Sequence, residues 1–328
     1  MRFGELKVFS GNTHPALAHT ICDHLGQPLG HAEAFEFTNE NLFVRILENV
    51  REQDVFIVQP IARPVNTSLM ELLIFIDALK RASAGRITAV VPYYGYGRSD
   101  KKDQPRVPIT GRLVADLLTT AGANRLLSVD FHAGQIQGFF SIPVDELTAE
   151  GILSRYVAAK NLDNLVVVAT DVGRAKEARS VGARLHAPVA TIDKLRVDNH
   201  GHTEVFNVYG DVAGRRALLI DDEIDSGGSM IVATHALLER GALEVYAAAT
   251  HPILSGNAAQ RLQESPLKEV VVTDTVPVPL AKRVPKLTVL SIAPLLGEAI
   301  SRIYSGRSVG ELFEETYDLG ELYKRHED

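Results

Sequence analysis

A turn of small residues, Ser226-Gly227-Gly228-Ser229, follows a cluster of acids in the segment IDDEIDSGGSM, residues 220–230. Glycines adopt backbone conformations that other residues avoid, which allows consecutive N–H groups to converge on one anion. The two serine hydroxyls add further hydrogen-bond donors. A helix that begins at this turn would also place its positive N-terminal end against the anion. This half of the segment predicts a phosphate site.

Three aspartates, Asp221, Asp222 and Asp225, lie just before the turn. Carboxylates repel a phosphate, but they accept hydrogen bonds from neighbouring sugar hydroxyls and from metal-bound waters. A sugar phosphate carries both kinds of group, so the segment is typical of a sugar-phosphate site. The alternative is a glycine-rich turn whose acids only cap the following helix. Two adjacent aspartates at the end of an apolar strand favour the sugar-phosphate interpretation.

A pair of basic residues, Lys194 and Arg196, lies in the segment IDKLR and precedes a polar loop, VDNHGHTE. In an extended segment these two side chains lie on the same side. Phosphoryl transfer spreads negative charge over oxygen atoms, and basic side chains can neutralise it. A basic pair at a strand end is otherwise only a solvated surface feature. These residues alone leave both interpretations open.

A second basic cluster, GRSDKKDQPR, follows an apolar strand and contains Arg98, Lys101, Lys102 and Arg106. Guanidinium and ammonium groups gathered in one turn can hold a triphosphate. An isolated run of charges, by contrast, is usually a solvated surface. The cluster is therefore a candidate clamp for a polyphosphate.

Two residues of metal-binding type each follow an apolar strand: His132 in VDFHAGQ and Asp171 in ATDVG. A lone histidine in such a place is more often structural than a ligand, and an aspartate there often caps the following helix. Brought together, a histidine and a carboxylate could hold Mg²⁺. That ion takes few protein ligands and keeps waters and substrate phosphates in its shell.

Short apolar runs alternate along the chain with longer amphipathic segments. We predict buried strands at KVFS, DVFIVQP, RITAVVPYY, RLLSVDF, NLVVVAT, PVATID, ALLIDD, EVYAAAT, KEVVVTD and KLTVLS. We predict helices in segments such as NTSLMELLIFIDALKRASAG, TGRLVADLLTTAG, VGRAKEARSVGARL and SMIVATHALLERG. Repeated strand-helix-strand units indicate an α/β protein with parallel sheets. The architecture is duplicated without a residue-level repeat, which predicts a domain boundary near residues 143–150.

The composition indicates an ordinary globular protein. The chain has 328 residues, a net charge of −7, 45% hydrophobic residues and 23% charged residues, which suits two domains with separate cores. We do not expect nucleic acid as its main partner. Cys22 is the only cysteine, which excludes an intrachain disulfide and agrees with a reducing cytoplasm. We find neither a signal-peptide pattern nor an apolar run of membrane-spanning length, and expect no membrane association.

Longer motifs extend across the chain from about residue 9 to residue 313. They are SGNTHPALA, ENVREQDVFIVQ, MELLIFIDALKRASAGRITAVVPYYGYGRSDKKDQPR, VDFHAGQIQGFF, TDVGRAKEAR, IDKLR and THPILSGNAAQRL. Their order and spacing resemble those of the ribose-phosphate diphosphokinase family. The resemblance implies an α/β fold of two tandem phosphoribosyltransferase-like domains, 1–147 and 148–328, each a parallel sheet flanked by helices. It also implies conversion of ribose 5-phosphate and ATP to 5-phosphoribosyl-1-diphosphate (PRPP) and AMP with Mg²⁺.

The resemblance implies roles for residues that match the family's motifs. The matched positions are Lys194 and Arg196 for catalysis; Arg98, Ser99, Asp100 and Lys101 for ATP; Asp221, Asp222, Asp225, Ser226, Gly227, Gly228 and Ser229 for ribose 5-phosphate; and His132 and Asp171 for the metal. The catalytic pair resembles part of a lid that stabilises the transition state when it closes. The N-terminal domain is the ATP side, and the C-terminal domain carries the sugar-phosphate and catalytic loops.

The sequence departs from the family pattern in one segment, FTNEN, residues 37–41, where the family usually carries Phe-Ser-Asp-Gly-Glu. Phe37 can still stack on a base. Asn39 can accept a hydrogen bond from an adenine amino group but can also turn towards an oxo group. We assign Phe37, Asn39 and Asn41 to ATP binding on the family pattern. Because this hairpin reaches a neighbouring subunit in the family, the resemblance implies a homohexamer built from dimers.

Two alternatives to an active synthase come from different functional classes. A noncatalytic regulatory homologue would account for Asn39 and Asn41, but loss of the basic pair or a degraded sugar-phosphate loop would mark that class. A phosphoribosyltransferase that consumes PRPP usually has one copy of the fold and a base-binding hood. The duplicated strand-helix series and the intact motifs favour the synthase.

Overall fold

The computed structural model describes residues 3–196 and 203–313, with all their side chains except those of residues 194–196, 203–206 and 313. Its strands are β1 (Leu6–Ser10), β2 (Ala32–Glu36), β3 (Leu42–Ile46), β4 (Asp54–Val58), β5 (Arg86–Val91), β6 (Arg125–Val129), β7 (Val144–Leu147), β8 (Leu165–Ala169), β9 (Val189–Arg196), β10 (Thr203–Tyr209), β11 (Arg216–Ile224), β12 (Glu244–Pro252), β13 (Glu269–Thr273) and β14 (Leu287–Leu290). Its α-helices are α1 (Pro15–Leu25), α2 (Val65–Arg81), α3 (Thr110–Ala121), α4 (Glu150–Ala159), α5 (Ala175–Arg184), α6 (Gly228–Glu239), α7 (Ala258–Glu264) and α8 (Ala293–Ser305).

The first compact unit contains the chain up to Thr148, the short segment Thr275–Pro277, and the described residues from Ser291 onward. Its sheet has the order β1-β4-β5-β6-β7, and every neighbouring pair is parallel. All five residues of β4 are buried, as expected for a strand covered on both faces. Helix α2 buries Leu72, Phe75, Ile76 and Leu79, and this spacing of three and four residues forms one apolar helix face.

The second compact unit contains Ala149–Asp274 and Val278–Leu290. Its sheet has the order β10-β9-β8-β11-β12-β13-β14, in which only the β9–β10 pair of the described strands is antiparallel. The core includes apolar side chains of the central strands β8, β11 and β12 together with those of α6 and α7. Because β8, β11 and β12 run parallel, the residues that follow them meet at one edge of the sheet.

The predicted fold class is confirmed: two parallel sheets are flanked by helices, and each of the predicted apolar runs forms a strand. The main segment of the first unit ends at Thr148, and the division into domains 1–147 and 148–328 stays a prediction. The chain then returns to that unit from Ser291, a return that a single boundary does not describe. Within residues 3–196 and 203–313, no helix is long and apolar enough to cross a membrane.

Candidate functional site

Strand β11 contains the two adjacent aspartates and is longer than the sequence indicated. The sequence predicted that this strand, ALLIDD, ends at Asp222, but β11 continues to Ile224. Its pairing with β8 ends at Ile220, whereas its pairing with β12 continues to Ile224 opposite Pro252. The last four residues of β11 therefore project past β8. On the side where β8 would otherwise lie, these residues can contact side chains from the chain that follows β8.

The two aspartates of β11 contact a threonine and an arginine from the chain that follows β8. The Thr170 hydroxyl donates to Asp221 Oδ2 over 2.8 Å. The Arg174 guanidinium lies 2.7 Å from Asp222 Oδ2 and 3.6 Å from Asp221 Oδ1. Burial, and then the neighbouring Asp222 charge, raise the pKa of Asp221 to about 7. Burial alone would lower the pKa of Arg174, but the surrounding carboxylates outweigh it and raise that pKa. One cation thus compensates two closely spaced acids.

Asp171 begins the short helical turn that precedes α5. Its carboxylate Oδ1 accepts a hydrogen bond from the backbone N–H of Arg174 over 3.1 Å. The capping interpretation of Asp171 is therefore confirmed, and its role as a metal ligand stays a prediction. Within the described part of the chain, no group of three or more histidine, cysteine or acidic side chains forms a ready metal cluster.

Arg174 is a site residue that the sequence reasoning missed. Its backbone contacts Asp171, while its side chain contacts Asp221 and Asp222 some fifty positions away. The only local signal was the charged run GRAKEAR, in which Arg174 also pairs with Glu177 at 3.5 Å. That i,i+3 spacing is common on helix surfaces and does not reveal the distant contacts.

The predicted turn between β11 and α6 has the expected conformation. Gly227 is left-handed, with a φ of 73°, and α6 begins at Gly228. The Ser226 hydroxyl accepts a hydrogen bond from the Gly228 N–H over 3.4 Å, and Ser226 and Ser229 are exposed. The turn therefore presents N–H groups and hydroxyls at a helix N-terminus, directly after the acids. This arrangement can accept an anion, although binding of ribose 5-phosphate there stays a prediction.

Lys194 and Arg196 lie near the end of β9, paired in antiparallel register with β10. Val205 lies opposite Lys194 and Thr203 opposite Arg196. Two residues apart on one strand, the pair has the backbone placement that the sequence predicted. Their side chains and residues 197–202 of the predicted lid loop VDNHGHTE lie outside the described part of the structure, so the catalytic roles stay predictions. Thr203 and Glu204, which we expected in that loop, instead begin β10.

The basic turn after β5 contains both exposed and buried residues. Arg98 and Lys101 are exposed and remain candidates for phosphate binding. The Ser99 hydroxyl accepts a hydrogen bond from the Thr110 N–H over 3.1 Å at the start of α3, which gives Ser99 a structural role. Asp100 is buried and accepts a hydrogen bond from the Gln135 amide. These contacts fix the turn and leave the cationic ends of Arg98 and Lys101 at the surface.

Gly95 lies where the chain after β5 passes close to Ile61, in the chain after β4. A Cβ atom at Gly95 would lie 2.4 Å from the carbonyl oxygen of Ile61 and 2.6 Å from its Cγ2. We expect Gly95→Ala to lower the free energy of unfolding by about 3 kcal/mol or more, because backbone must move to relieve the overlap. The matched control is Gly134→Ala, since no heavy atom lies within 4 Å of that added Cβ. Equal stability of the two variants in urea denaturation would contradict the expectation.

His132 follows β6 in the first unit, whereas Asp171 belongs to the second unit. A Cβ atom at Gly97 would lie 3.6 Å from the His132 Cβ, so the histidine lies beside the chain that leads into the basic turn. The neighbouring Phe131 N–H donates to Glu146 Oε1 over 2.8 Å, and burial raises the pKa of Glu146. The metal-binding role of His132 stays a prediction.

Comparison with known proteins agrees with the motifs of both halves of the chain. A family model described as the N-terminal domain of ribose phosphate pyrophosphokinase matches residues 6–122, and one described as a phosphoribosyl synthetase-associated domain matches residues 201–314. The chain is 52% identical over 309 residues to a ribose-phosphate pyrophosphokinase of Caldanaerobacter subterraneus subsp. tengcongensis, with 94% of this chain and 98% of that protein covered. The chain belongs to the ribose-phosphate pyrophosphokinase family.

Other members of the ribose-phosphate pyrophosphokinase family give the same result. The protein of Rhizobium meliloti is 51% identical over 311 residues, which cover 94% of this chain and all 100% of that protein. The crystal structure of phosphoribosylpyrophosphate synthetase from Mycobacterium smegmatis has a TM-score of 0.88 at 46% identity, covering 92% of this chain and 100% of that one. The family and fold class predicted from the ordered motifs are confirmed.

The hairpin of β2 and β3 carries the segment that departs from the usual pattern of the pyrophosphokinase family. The Phe37 ring lies 5.0 Å from the Phe35 ring and 5.7 Å from the Phe43 ring, and Phe37 is 47% exposed. The Asn39 side-chain oxygen accepts a hydrogen bond from the Asn41 N–H over 3.2 Å. The aromatic ring is thus available for stacking, while the Asn39 oxygen already stabilises the turn.

A buried carboxylate, which the sequence reasoning did not identify, links this hairpin to the sheet. Glu71 of α2 accepts hydrogen bonds from the Asn12 N–H over 2.6 Å, the Asn12 side-chain amide over 2.9 Å and the Gln59 amide over 3.0 Å. Asn12 in turn donates to the carbonyl oxygen of Ala34 in β2 over 3.0 Å. The chain after β1 is therefore held between α2 and the base of the hairpin.

Proposed function

We propose that this protein is a ribose-phosphate diphosphokinase that transfers the diphosphoryl group of ATP to the 1-hydroxyl of ribose 5-phosphate, giving PRPP and AMP. The enzyme class predicted from the sequence is confirmed by relatives that are about half identical along nearly the whole chain. The structural observation that supports the proposal is that two adjacent carboxylates at the end of β11 lie just before a glycine turn at the N-terminus of α6. A pentose phosphate has matching groups at its two ends.

The second unit supplies the acceptor site in this proposal. The 5-phosphate occupies the turn Ser226–Ser229, where backbone N–H groups at the start of α6 and two hydroxyls surround an anion. The ring hydroxyls donate to Asp221 and Asp222, whose carboxylates Arg174 also contacts. Because the acids and the turn are joined by only a few residues at the end of one strand, the sugar is bound in a single orientation.

The transfer step needs positive charge around the diphosphoryl group. The 1-hydroxyl oxygen attacks the β-phosphorus of ATP in line and gives up its proton to solvent, while the bond between that phosphorus and the AMP oxygen breaks. We assign the exposed Arg98 and Lys101 to binding the ATP phosphates, with Phe37 stacking on the base. Lys194 and Arg196 neutralise charge that develops on the phosphoryl oxygens in the transition state.

One histidine and one carboxylate are too few ligands for an ion that is coordinated entirely by protein. They suit Mg²⁺, which takes few protein ligands. Asp171 uses one carboxylate oxygen for its backbone hydrogen bond, and a carboxylate has acceptor capacity left for an ion. We assign His132 and Asp171 to holding Mg²⁺, with substrate phosphates and waters completing the shell. When bound, the ion neutralises phosphate charge and orients the leaving group.

We also propose self-association and a cytoplasmic location. The partly exposed Phe35 and Phe37 rings form an apolar tip on the hairpin that suits contact with another subunit, and we assign the protein to a homohexamer built from dimers. The thiol of Cys22 is buried, and burial raises its pKa to about 12, so a reduced, unreactive cysteine suits the cytoplasm.

A phosphorus NMR time course with ribose 5-phosphate, ATP and Mg²⁺ tests the function directly. Simultaneous appearance of PRPP and AMP supports the proposal. No turnover with retained ribose 5-phosphate binding would contradict it and favour the noncatalytic homologue, while consumption of added PRPP with a free base would favour the phosphoribosyltransferase.

We expect Asp222→Ala to weaken ribose 5-phosphate binding by roughly tenfold or more, because the variant loses a charged acceptor for the sugar hydroxyls. Calorimetric titration without nucleotide measures this affinity. Asp211→Ala is the matched control, since the Asp211 side chain is 73% exposed and its ion pair with Arg215 is long, at 3.8 Å. Unchanged affinity in Asp222→Ala, or an equal loss in the control, would refute the assignment.

A further inference from the structure

The loop after β12 lies directly against the proposed phosphate turn. The Leu254 N–H donates to the Ile224 carbonyl oxygen over 2.9 Å, and the Ser255 N–H donates to the Asp225 carbonyl oxygen over 3.0 Å. These bonds hold the chain that follows β12 against the end of β11 and the residue after it. Helix α7 then follows, and a Cβ atom at Gly227 would lie 3.3 Å from the Leu262 side chain. The turn is therefore packed against α7.

Arg261 of α7 brings a positive charge to this turn. Its Nη1 atom donates to the carbonyl oxygen of Ser226 over 3.1 Å. Its Nη2 atom is close to the start of α6, since a Cβ atom at Gly228 would lie 3.7 Å from it. Arg261 is exposed, so the guanidinium can make further hydrogen bonds to a ligand. The Ser226 bond fixes one side of the guanidinium and leaves other N–H groups of the rigid fork beside the turn.

The charge around the turn explains why such a cation is needed. Asp222, Glu223 and Asp225 immediately precede the turn, and a phosphate monoester brings a charge of nearly −2 at neutral pH. Backbone N–H groups at a helix N-terminus supply only about half an elementary charge. A guanidinium beside them adds a full positive charge and charge-assisted hydrogen bonds with the geometry of a phosphate.

We propose that Arg261 is a specificity-determining residue of the sugar-phosphate site and binds the 5-phosphate together with the Ser226–Ser229 turn. This inference rests on the proposed function of that turn. The competing explanation is that Arg261 only braces the turn through its bond to Ser226. The two explanations differ in whether the positive charge matters, because a neutral amide can also donate to the Ser226 carbonyl oxygen.

Two substitutions separate the charge of Arg261 from its bracing bond. Arg261→Gln keeps an N–H donor but loses the charge, whereas Arg261→Lys keeps the charge but loses the fork. We expect Arg261→Gln to raise the KM for ribose 5-phosphate by 10- to 100-fold with kcat changed less than threefold, and Arg261→Lys to fall between it and the wild type. Arg240→Gln, at the far end of α6, removes the same charge and is expected to leave KM unchanged.

Calorimetric titration of ribose 5-phosphate without ATP, at pH 5 and pH 8, adds a measurement that bracing would not alter. The phosphate gains its second negative charge near pH 6, so a cation that contacts it strengthens binding as the pH rises. We expect this gain to be at least threefold smaller in Arg261→Gln than in the wild type and the Arg240→Gln control. An unchanged pH profile or unchanged affinity in Arg261→Gln would overturn the proposal.

The failure of this inference can be told apart from failure of the proposed function. If the wild type forms no PRPP but binds ribose 5-phosphate, the function fails while the calorimetric comparison still tests Arg261. If the wild type forms PRPP and Arg261→Gln keeps the wild-type affinity, only the role of Arg261 fails. Thermal unfolding of each variant shows whether an affinity change reflects loss of structure, and Arg261→Lys, which keeps the charge, gives a second comparison.

Discussion

Lys194→Ala is expected to lower kcat by more than about tenfold while leaving the affinity for ribose 5-phosphate nearly unchanged. The physical reason is that a cation directed at the transferring phosphoryl group acts on charge that develops only in the transition state. Such an interaction affects kcat and kcat/KM equally and leaves ground-state binding alone. Steady-state kinetics with both substrates, combined with calorimetric titration of ribose 5-phosphate, measures the two quantities separately.

The matched control for this substitution is Lys268→Ala. Lys268 precedes β13 and lies 3.3 Å from Glu244, at the amino-terminal edge of the sheet, away from the acids and the turn. We expect wild-type kinetics from the control. A large loss of ribose 5-phosphate affinity in Lys194→Ala, with kcat unchanged, would show that Lys194 binds the ground state instead. Restoration of part of kcat by Lys194→Arg would support a requirement for charge.

Arg174→Met is expected to produce the largest loss of stability among these variants. The Arg174 side chain is 12% exposed, and its guanidinium lies 2.7 Å from a carboxylate of Asp222 that is 5% exposed. Removing one partner of a buried ion pair leaves an uncompensated charge and costs about 3–5 kcal/mol. We also expect weaker binding of ribose 5-phosphate, because the two carboxylates lose the group that holds them in position. Urea denaturation and calorimetric titration measure these effects.

The free energy of unfolding of Arg174→Met and of the wild type should also depend differently on pH. The pKa of Asp221 is already raised to about 7, above its unfolded value of 3.8. A raised pKa of an acid favours the protonated folded state, so the associated stability is complete below about pH 4 and is lost as the pH approaches 7. Without Arg174 the pKa of Asp221 rises further, and the loss of stability continues to higher pH. We therefore expect the difference in unfolding free energy between variant and wild type to grow from pH 5 to pH 8.

Arg179→Met is the control for this experiment, because Arg179 is exposed on the same helix, α5. We expect it to change stability by no more than about 0.5 kcal/mol. If Arg174→Met were as stable as this control at both pH values, the two β11 acids would have another source of compensation. The assignment of Arg174 as their positioning residue would then be wrong.

Local patterns in the sequence were sufficient for the strands that are buried on both faces. Continuous apolar runs such as DVFIV and LVVVA identified β4 and β8 because a strand covered on both sides needs apolar residues at every position. The same reasoning missed β2, β3, β7 and β10. In β2 exposed and partly buried residues mix, and β7 contains two acids within four residues, so neither forms an apolar run. The antiparallel edge strand β10 directly follows a polar loop, which concealed its beginning.

For the candidate site, too, the sequence determined some features and the tertiary structure decided others. By itself the sequence determined the family, the strand-turn-helix around Ser226–Ser229, and the positions that match family motifs, because these features are contiguous and depend on residue type and spacing. Only the tertiary structure decided that β11 continues past Asp222 to Ile224, that Arg174 compensates Asp221 and Asp222, and that Arg261 lies beside the turn. Arg261 follows Ser226 by 35 positions and Arg174 precedes Asp221 by 47. Such contacts arise because parallel β8, β11 and β12 bring their following loops to one edge, and strand order is set by packing of the whole sheet, which no local pattern records.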